Sequence, residues 1–130
     1  MINIPVSIGE AFDKYSILEI KKVKLTEYQR SNVQREMDFL KNEIISFLSI
    51  PSIFTLYKQI FTCNIEIWEC MDLLYILHDN EEINGEYSLL CYKVTELNKR
   101  RAYIKREIDD YLGSQIKEEK SYFMEDSNEN

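Results

Sequence analysis

Along most of this chain apolar residues recur at three- and four-residue steps, the spacing that lines one face of an α-helix. The first run is Ile8, Ala11, Phe12, Tyr15, Leu18 and Leu25. Ser7-Ile8-Gly9-Glu10 precedes it as a capping box, in which the Ser7 hydroxyl accepts from the Glu10 amide and the Glu10 carboxylate reaches back to the Ser7 amide. The pattern predicts a helix from there to about Glu27, with Glu10 and Asp13 at its positive end and Lys21, Lys22 and Lys24 at its negative end. A second run, Val33, Met37, Leu40, Ile44 and Phe47, predicts a helix that opens at Ser31 and is stopped by Ile50-Pro51-Ser52. The third, from about Ser52 to His78, carries Ile53, Leu56, Ile60, Asn64, Ile67, Met71 and Leu74, widened by Phe61, Trp68 and Leu77. A polar connection, Asp79 to Gly85, ends in Asn-Gly, a strong turn signal. The fourth run, from about Glu86 to Leu112, is Leu90, Val94, Leu97, Arg101, Ile104, Ile108 and Tyr111, closed by Gly113 in a left-handed cap.

Four helices with short connections pack most simply as an all-α, antiparallel up-down-up-down four-helix bundle. The expected domain is residues 1–122, with a short N-terminal arm (Met1 to Val6, extended by Pro5) and a charged exit segment from Gly113 to Tyr122. Residues 123–130 are acidic and aperiodic, and are expected to form a flexible tail. Only three Gly and two Pro punctuate the whole chain, too few for a sheet protein of this length.

The formal net charge of −7 argues against duplex nucleic acid or an anionic membrane as a partner of the whole surface. A local cluster, Lys99, Arg100, Arg101, Lys105 and Arg106, can still hold one phosphate or carboxylate. Cys63, Cys70 and Cys91 are odd in number and lack CxxC spacing, as expected of reduced, core-filling thiols in a cytoplasmic protein. No signal-peptide pattern opens the chain, and its most apolar run, Ile44 to Leu56, is too short and interrupted to span a bilayer.

Two polar residues, Asn64 and Arg101, interrupt apolar seams. Counting inward from the ends of antiparallel helices 1 and 4 sets Ile8 near Leu112 and Glu19 level with Arg101. Asn64 comes close to that level, and Glu36 within about one turn. Asn98 and Lys105 flank Arg101 on the same helix face. An unpaired buried guanidinium costs several kcal/mol, roughly the net stability of a domain. The chain must therefore pair it, hydrate it or use it on a ligand. One reading is a register-setting network. The other is an interhelical cleft in which Arg101, Lys105 and Asn98 hold an anion and Glu19 or Glu10 serves as acid or base. The same topology sets Val6 to Lys14 beside the exit segment, where Glu118, Glu119 and Lys120 can pair with Lys14 or Lys117.

Other chemistry has little footing. His78 is the sole histidine, and HExxH, CxxC and Glu-x-x-His are absent, so no metal or cofactor is expected. No phosphate-binding glycine loop appears. The Glu107-x-x-Asp110 pair lacks the upstream Glu-x-x-Glu that helical nucleotide pyrophosphatases use.

Four blocks carry a resemblance: PVSIGEAFDKYSILEIKKVK (Pro5 to Lys24), NVQREMDFL (Asn32 to Leu40), NIEIW (Asn64 to Trp68) and NKRRAYIKREIDDYLGSQIKEEKSY (Asn98 to Tyr122). Through them the chain resembles an uncharacterised family of short bacterial and viral proteins with no established activity. The resemblance implies polar motif positions at Glu10, Asp13, Lys14, Glu19, Lys21, Asn32, Glu36, Asn98, Arg101, Lys105 and the EEKSY segment. Where that family tends to be acidic after the Trp, this chain has Glu69, Cys70, Met71 and Asp72.

The leading expectation is a non-enzymatic cytoplasmic binding or accessory module that presents a charged end to a protein partner. The alternative is a small enzyme or ligand-binding protein whose Arg/Lys/Glu cleft takes a small anionic metabolite. No residue is assigned a catalytic role. Nine Tyr and six Phe leave enough surface aromatics for a helix-face interface, so a homodimer fits either reading.

Overall fold

A computed structural model describes residues 1–123 of the chain. The tail expected at 123–130 lies, apart from Phe123, outside the described residues. The architecture is an all-α four-helix bundle: α1 (Ile8–Lys24), α2 (Glu27–Ile44), a 3₁₀ turn (Ile45–Ser49), α3 (Pro51–Asp79) and α4 (Gly85–Leu112). No strand is present among the described residues.

The helix ends follow local chemistry. The Ser7 hydroxyl accepts from the Glu10 amide at 3.0 Å, as predicted, but the Glu10 carboxylate does not return to Ser7; it binds Lys105. A complete capping box forms instead at Thr26 and Gln29. It starts α2 at Glu27 rather than Ser31, ends α1 at Lys24 rather than near Glu27, and leaves Ser31 inside the helix with its hydroxyl on the Tyr28 carbonyl. Pro51 occupies the first turn of α3, where its missing N–H costs nothing. Asn84 caps α4, and Gly113, at φ 64°, closes it in the left-handed conformation that glycine adopts without strain.

Packing is uneven. The backbone of α1 runs close to α2, α3 and α4, whereas that of α2 comes close only to α1 and the 3₁₀ turn. The main core joins the N-terminal halves of α1 and α3 to the C-terminal half of α4 through Phe12, Ile53, Tyr57, Ile60, Ile104 and Ile108, with Ile44 closing it from the end of α2. A smaller cluster of Leu18, Val33 and Met37 holds α2 on α1. A third, Cys63, Cys70 and Leu97, lies between α3 and α4 alone.

The Cys63 end of that third cluster lies beside Asp13 of α1, and its Cys70 end is left to two helices by helix length. α1 has 17 residues, against 29 in α3 and 28 in α4. The last buried side chain of α1 is Ile20, and Val23 is already 77% exposed. Beyond that level α3 and α4 run on as a two-helix hairpin. No helix of the described residues is long and apolar enough to cross a membrane.

Candidate functional site

Gly9 sets the site. A Cβ built there would stand 2.4 Å from the Lys105 carbonyl oxygen and 3.0 Å from Asp109 Oδ1. Only glycine lets α1 lie this close to α4. Its amide donates to Asp109 Oδ1 at 2.6 Å, and the neighbouring Ile8 amide donates to Ser114 Oγ at 3.2 Å. Two otherwise orphaned N–H groups at the start of α1 are thus satisfied by α4 and the residue after its cap. Burial pushes the Asp109 carboxyl up from its ordinary value, while the hydrogen bonds from Gly9 and Ser7 oppose that rise.

From Gly9 the stripe of α1 that faces α3 and α4 continues through Asp13, Ser16 and Ile20. Asp13 is 1% exposed and is the hub. Arg101 Nε donates to its Oδ1 at 2.8 Å and Nη2 to its Oδ2 at 2.6 Å, a two-pronged ion pair. Asn64 Nδ2 donates to Asp13 Oδ1 at 2.9 Å and to Ser16 Oγ at 2.7 Å. Ser16 in turn donates to the Asp13 carbonyl at 2.7 Å. The hydrogen bonds and charge of Asp13 raise the pKa of Arg101 against the opposing effect of burial.

The two seam defects, Asn64 and Arg101, therefore do meet in one layer, but around Asp13 and not Glu19. The observed register of α1 along α4 differs by more than a turn from the one the helix ends imply; the Gly9 contact, not the ends, sets it. Glu19 accepts instead from the Tyr57 hydroxyl, whose pKa is raised by burial and by that carboxylate. Glu36 is also outside the layer and pairs with Lys14 at 3.1 Å on the exposed α1/α2 surface.

One turn from Asp13, Lys105 is the second hub. Its Nζ binds Glu10 Oε2 at 2.5 Å and Glu118 Oε1 at 3.3 Å, and lies 4.0 Å from Asp13 Oδ2. Burial lowers its pKa, but the Glu10 hydrogen bond and the charges of Asp13, Glu10 and Glu118 outweigh that and leave it raised. The exit segment lies beside the start of α1, as the topology predicts, with different partners. Glu119 pairs with Arg106 at 3.2 Å, Lys120 with Glu118 at 3.6 Å, and Lys117 with Asp110 at 2.7 Å. None of them pairs with Lys14, which is drawn to α2. Arg106 also holds the Glu118 carbonyl, and the Tyr103 hydroxyl holds the Tyr122 carbonyl at 2.8 Å, so the segment is strapped along α4.

Between α1, α4 and this strap is a cleft of about 300 Å³, partly open to solvent, lined by Glu10, Asn98, Arg101, Lys105, Glu118 and Tyr122, with Lys120 at its rim. Within it the third guanidinium nitrogen, Arg101 Nη1, has among the described residues only Asn98 Oδ1 at 3.3 Å. Among the described residues no group of His, Cys, Asp or Glu is arranged to hold a metal ion. No buried side-chain nitrogen or oxygen among them lacks a hydrogen-bond partner.

In the sequence Asp13 reads as a helix-end residue, and Gly9, Ser16, Asp109 and Ser114 are not among the candidate site residues. A signal for three of these is present: Gly9, Asp13 and Ser16 follow one another at helical steps, a small and polar stripe beside the apolar one. Comparisons with protein families, with curated proteins and with solved structures return no match.

Proposed function

We propose that this chain is a non-enzymatic cytoplasmic binding or accessory module that presents one charged end of its bundle to a protein partner. That end comprises the start of α1, the C-terminal half of α4 and the strap. One observation carries the reading: the cations of the cleft are already neutralised from within. Arg101 is held by Asp13, Lys105 by Glu10 and Glu118, and Lys120 by Glu118. An anionic metabolite would meet a balanced pocket, and no free general base waits beside it. A buried network of this kind suits register-setting between helices.

The outer side of the same end is composed differently. Tyr103, Tyr122 and Phe123 pack edge to face or tilted, with ring centroids 5.1 to 6.0 Å apart. Lys99 sits over the Tyr122 ring and Arg106 over Phe123. Partly exposed aromatics with an arginine among them are enriched at protein–protein surfaces. We also read the chain as a relative of the short bacterial and viral proteins that its blocks resemble. The motif positions Glu10, Asp13, Asn98, Arg101, Lys105 and EEKSY all fall at this end.

The void and the under-used Arg101 Nη1 favour a second reading, a site for a phosphorylated or carboxylate metabolite. Thermal melting separates the two. The wild type, Arg101→Ala and Asn98→Ala are melted alone and with phosphorylated sugars, nucleotides and dicarboxylates. The binding-module reading expects Arg101→Ala to melt several degrees lower and no compound to shift the wild type. A compound that stabilises the wild type, and loses its effect in the otherwise stable Asn98→Ala, overturns that reading and names the ligand class.

A further inference from the structure

The far half of the α3/α4 hairpin has an apolar exterior. Leu73, Ile76, Leu89 and Tyr92 are 50%, 56%, 73% and 68% exposed. Two adjacent helices that share one buried stripe would ordinarily be polar elsewhere. Here apolar residues occur around the circumference of α3, yet past Ile20 of α1 no third helix of the described residues covers it.

Helical stepping of about 100° per residue puts these four side chains on one side. On α4, Leu97 points into the hairpin, and Arg101 and Lys105, which meet α1, lie to one side of it. Leu89 and Tyr92 lie to the other. On α3, Cys63 and Cys70 point inward, Asn64 lies on the α1 side, and Leu73 and Ile76 lie opposite. The four therefore form one patch on the hairpin face turned away from α1, and α2, whose backbone comes close to neither α3 nor α4 and whose Ile44 enters the core at the other end of the hairpin, does not reach it.

We propose that this patch is a self-complementary interface, covered by the same patch of a second copy of the chain about a twofold axis parallel to the hairpin. Cys63 donates to the Leu97 carbonyl, and Cys70 shares a cluster with Leu90, which sets the level of the two helices. Leu73 is then within about a turn of the level of Leu89, and Glu69 of the level of Lys93. A twofold axis along the hairpin lays α3 of one copy over α4 of the other at the same height. It brings Leu73 over Leu89 twice, and exposed Glu69 beside exposed Lys93 twice. Two two-helix hairpins become an intermolecular four-helix bundle. The exposed apolar groups of both copies amount to on the order of 1,000 Å², about the lower bound for a specific interface. Glu66 and Glu96 lie one turn nearer the α1 end, and the same axis sets Glu66 of one copy level with Glu96 of the other, so like charge ends the interface there.

Sedimentation equilibrium of the full chain tests this. The wild type is expected to be a dimer at tens of micromolar. Leu89→Glu and Ile76→Glu are each expected to be monomeric with an unchanged helical circular-dichroism spectrum, since neither touches the α1 side. Glu69→Lys is expected to weaken association about tenfold, and Glu69→Lys with Lys93→Glu to restore it. A wild type that stays monomeric at 100 µM overturns the proposal, a concentration of about 10⁻⁴ M being weak even for transient pairs. A dimer that persists in both folded glutamate variants overturns it too, as does a charge reversal that fails to rescue. Should one glutamate variant misfold, the other and the charge-reversal pair decide.

Discussion

The two ends of the α3/α4 pair are built on opposite rules. Where α1 joins them, a polar layer is buried: Asp13, Ser16 and Asn64 hold one another and the half-buried Arg101, and Lys105 and Asp109 sit a turn or two away. Where the pair runs on alone, the stripe between the helices is apolar and part of the outside is apolar as well. The difference teaches what a third helix supplies. A buried carboxylate needs donors from several directions, and three helices can surround it. Two helices enclose only a seam, so polar residues there keep to water and the apolar surplus needs another cover.

The largest expected effect comes from the polar layer. Asp13→Ala strands Arg101 and Asn64 and is expected to cost about 3–5 kcal/mol in urea unfolding. Asp13→Leu combined with Arg101→Met is expected to recover much of that loss, because the pair serves specificity more than stability. A double variant no better than Asp13→Ala would mean that the layer stabilises the bundle outright.

Adjacent residues of the hairpin sharpen the other side of the comparison. Leu74 is 6% exposed and Leu73 is 50% exposed. Leu74→Ala is expected to cost about 2–4 kcal/mol, and Leu73→Ala about 0.5 kcal/mol or less at protein concentrations too low for association. Equal losses in dilute solution would place a cover over Leu73 within the same chain.

Gly9→Ala tests the close approach that sets the register. Its Cβ would meet backbone, which cannot swing aside. The expected cost is about 1–3 kcal/mol. The alanine variant should also expose the Ile8 and Gly9 amides to faster hydrogen exchange, as α1 lifts from α4.

The smallest effect is a pH dependence. Asp109 is raised in the folded state by burial. Its ionisation therefore costs stability: none is lost below the ordinary carboxylate value, and the loss grows as pH rises through the raised value. Stability of the wild type minus that of Asp109→Asn is expected to fall as pH increases from about 4 and then level off. Lys105 gives a slope of the same direction at the alkaline end, since its raised pKa contributes stability that disappears as pH rises through it. A difference curve that climbs from pH 4 upward would contradict the buried-carboxylate account.

The number, type and order of the elements were legible in the chain because they rest on local physics. Apolar steps of three and four, a Ser7 cap, the Pro51 start and the Gly113 stop each act within a few residues. So does the Thr26 box, whose Thr26-x-x-Gln29 signal stands in the sequence beside the competing Ser31-x-x-Gln34. Asn64 and Arg101 were also recognisable as polar intruders in apolar seams. Their partner was not, because a register between helices far apart in sequence depends on how closely their backbones approach. That distance is set by one glycine against one carbonyl, Gly9 on Lys105. Once α1 settles there, Asp13 and not Glu19 faces Arg101, Glu10 turns from its own cap to Lys105, and the α3/α4 hairpin outruns its cover. Local periodicity determined the helices; only tertiary contact decided which charges are buried together and which apolar face is left bare.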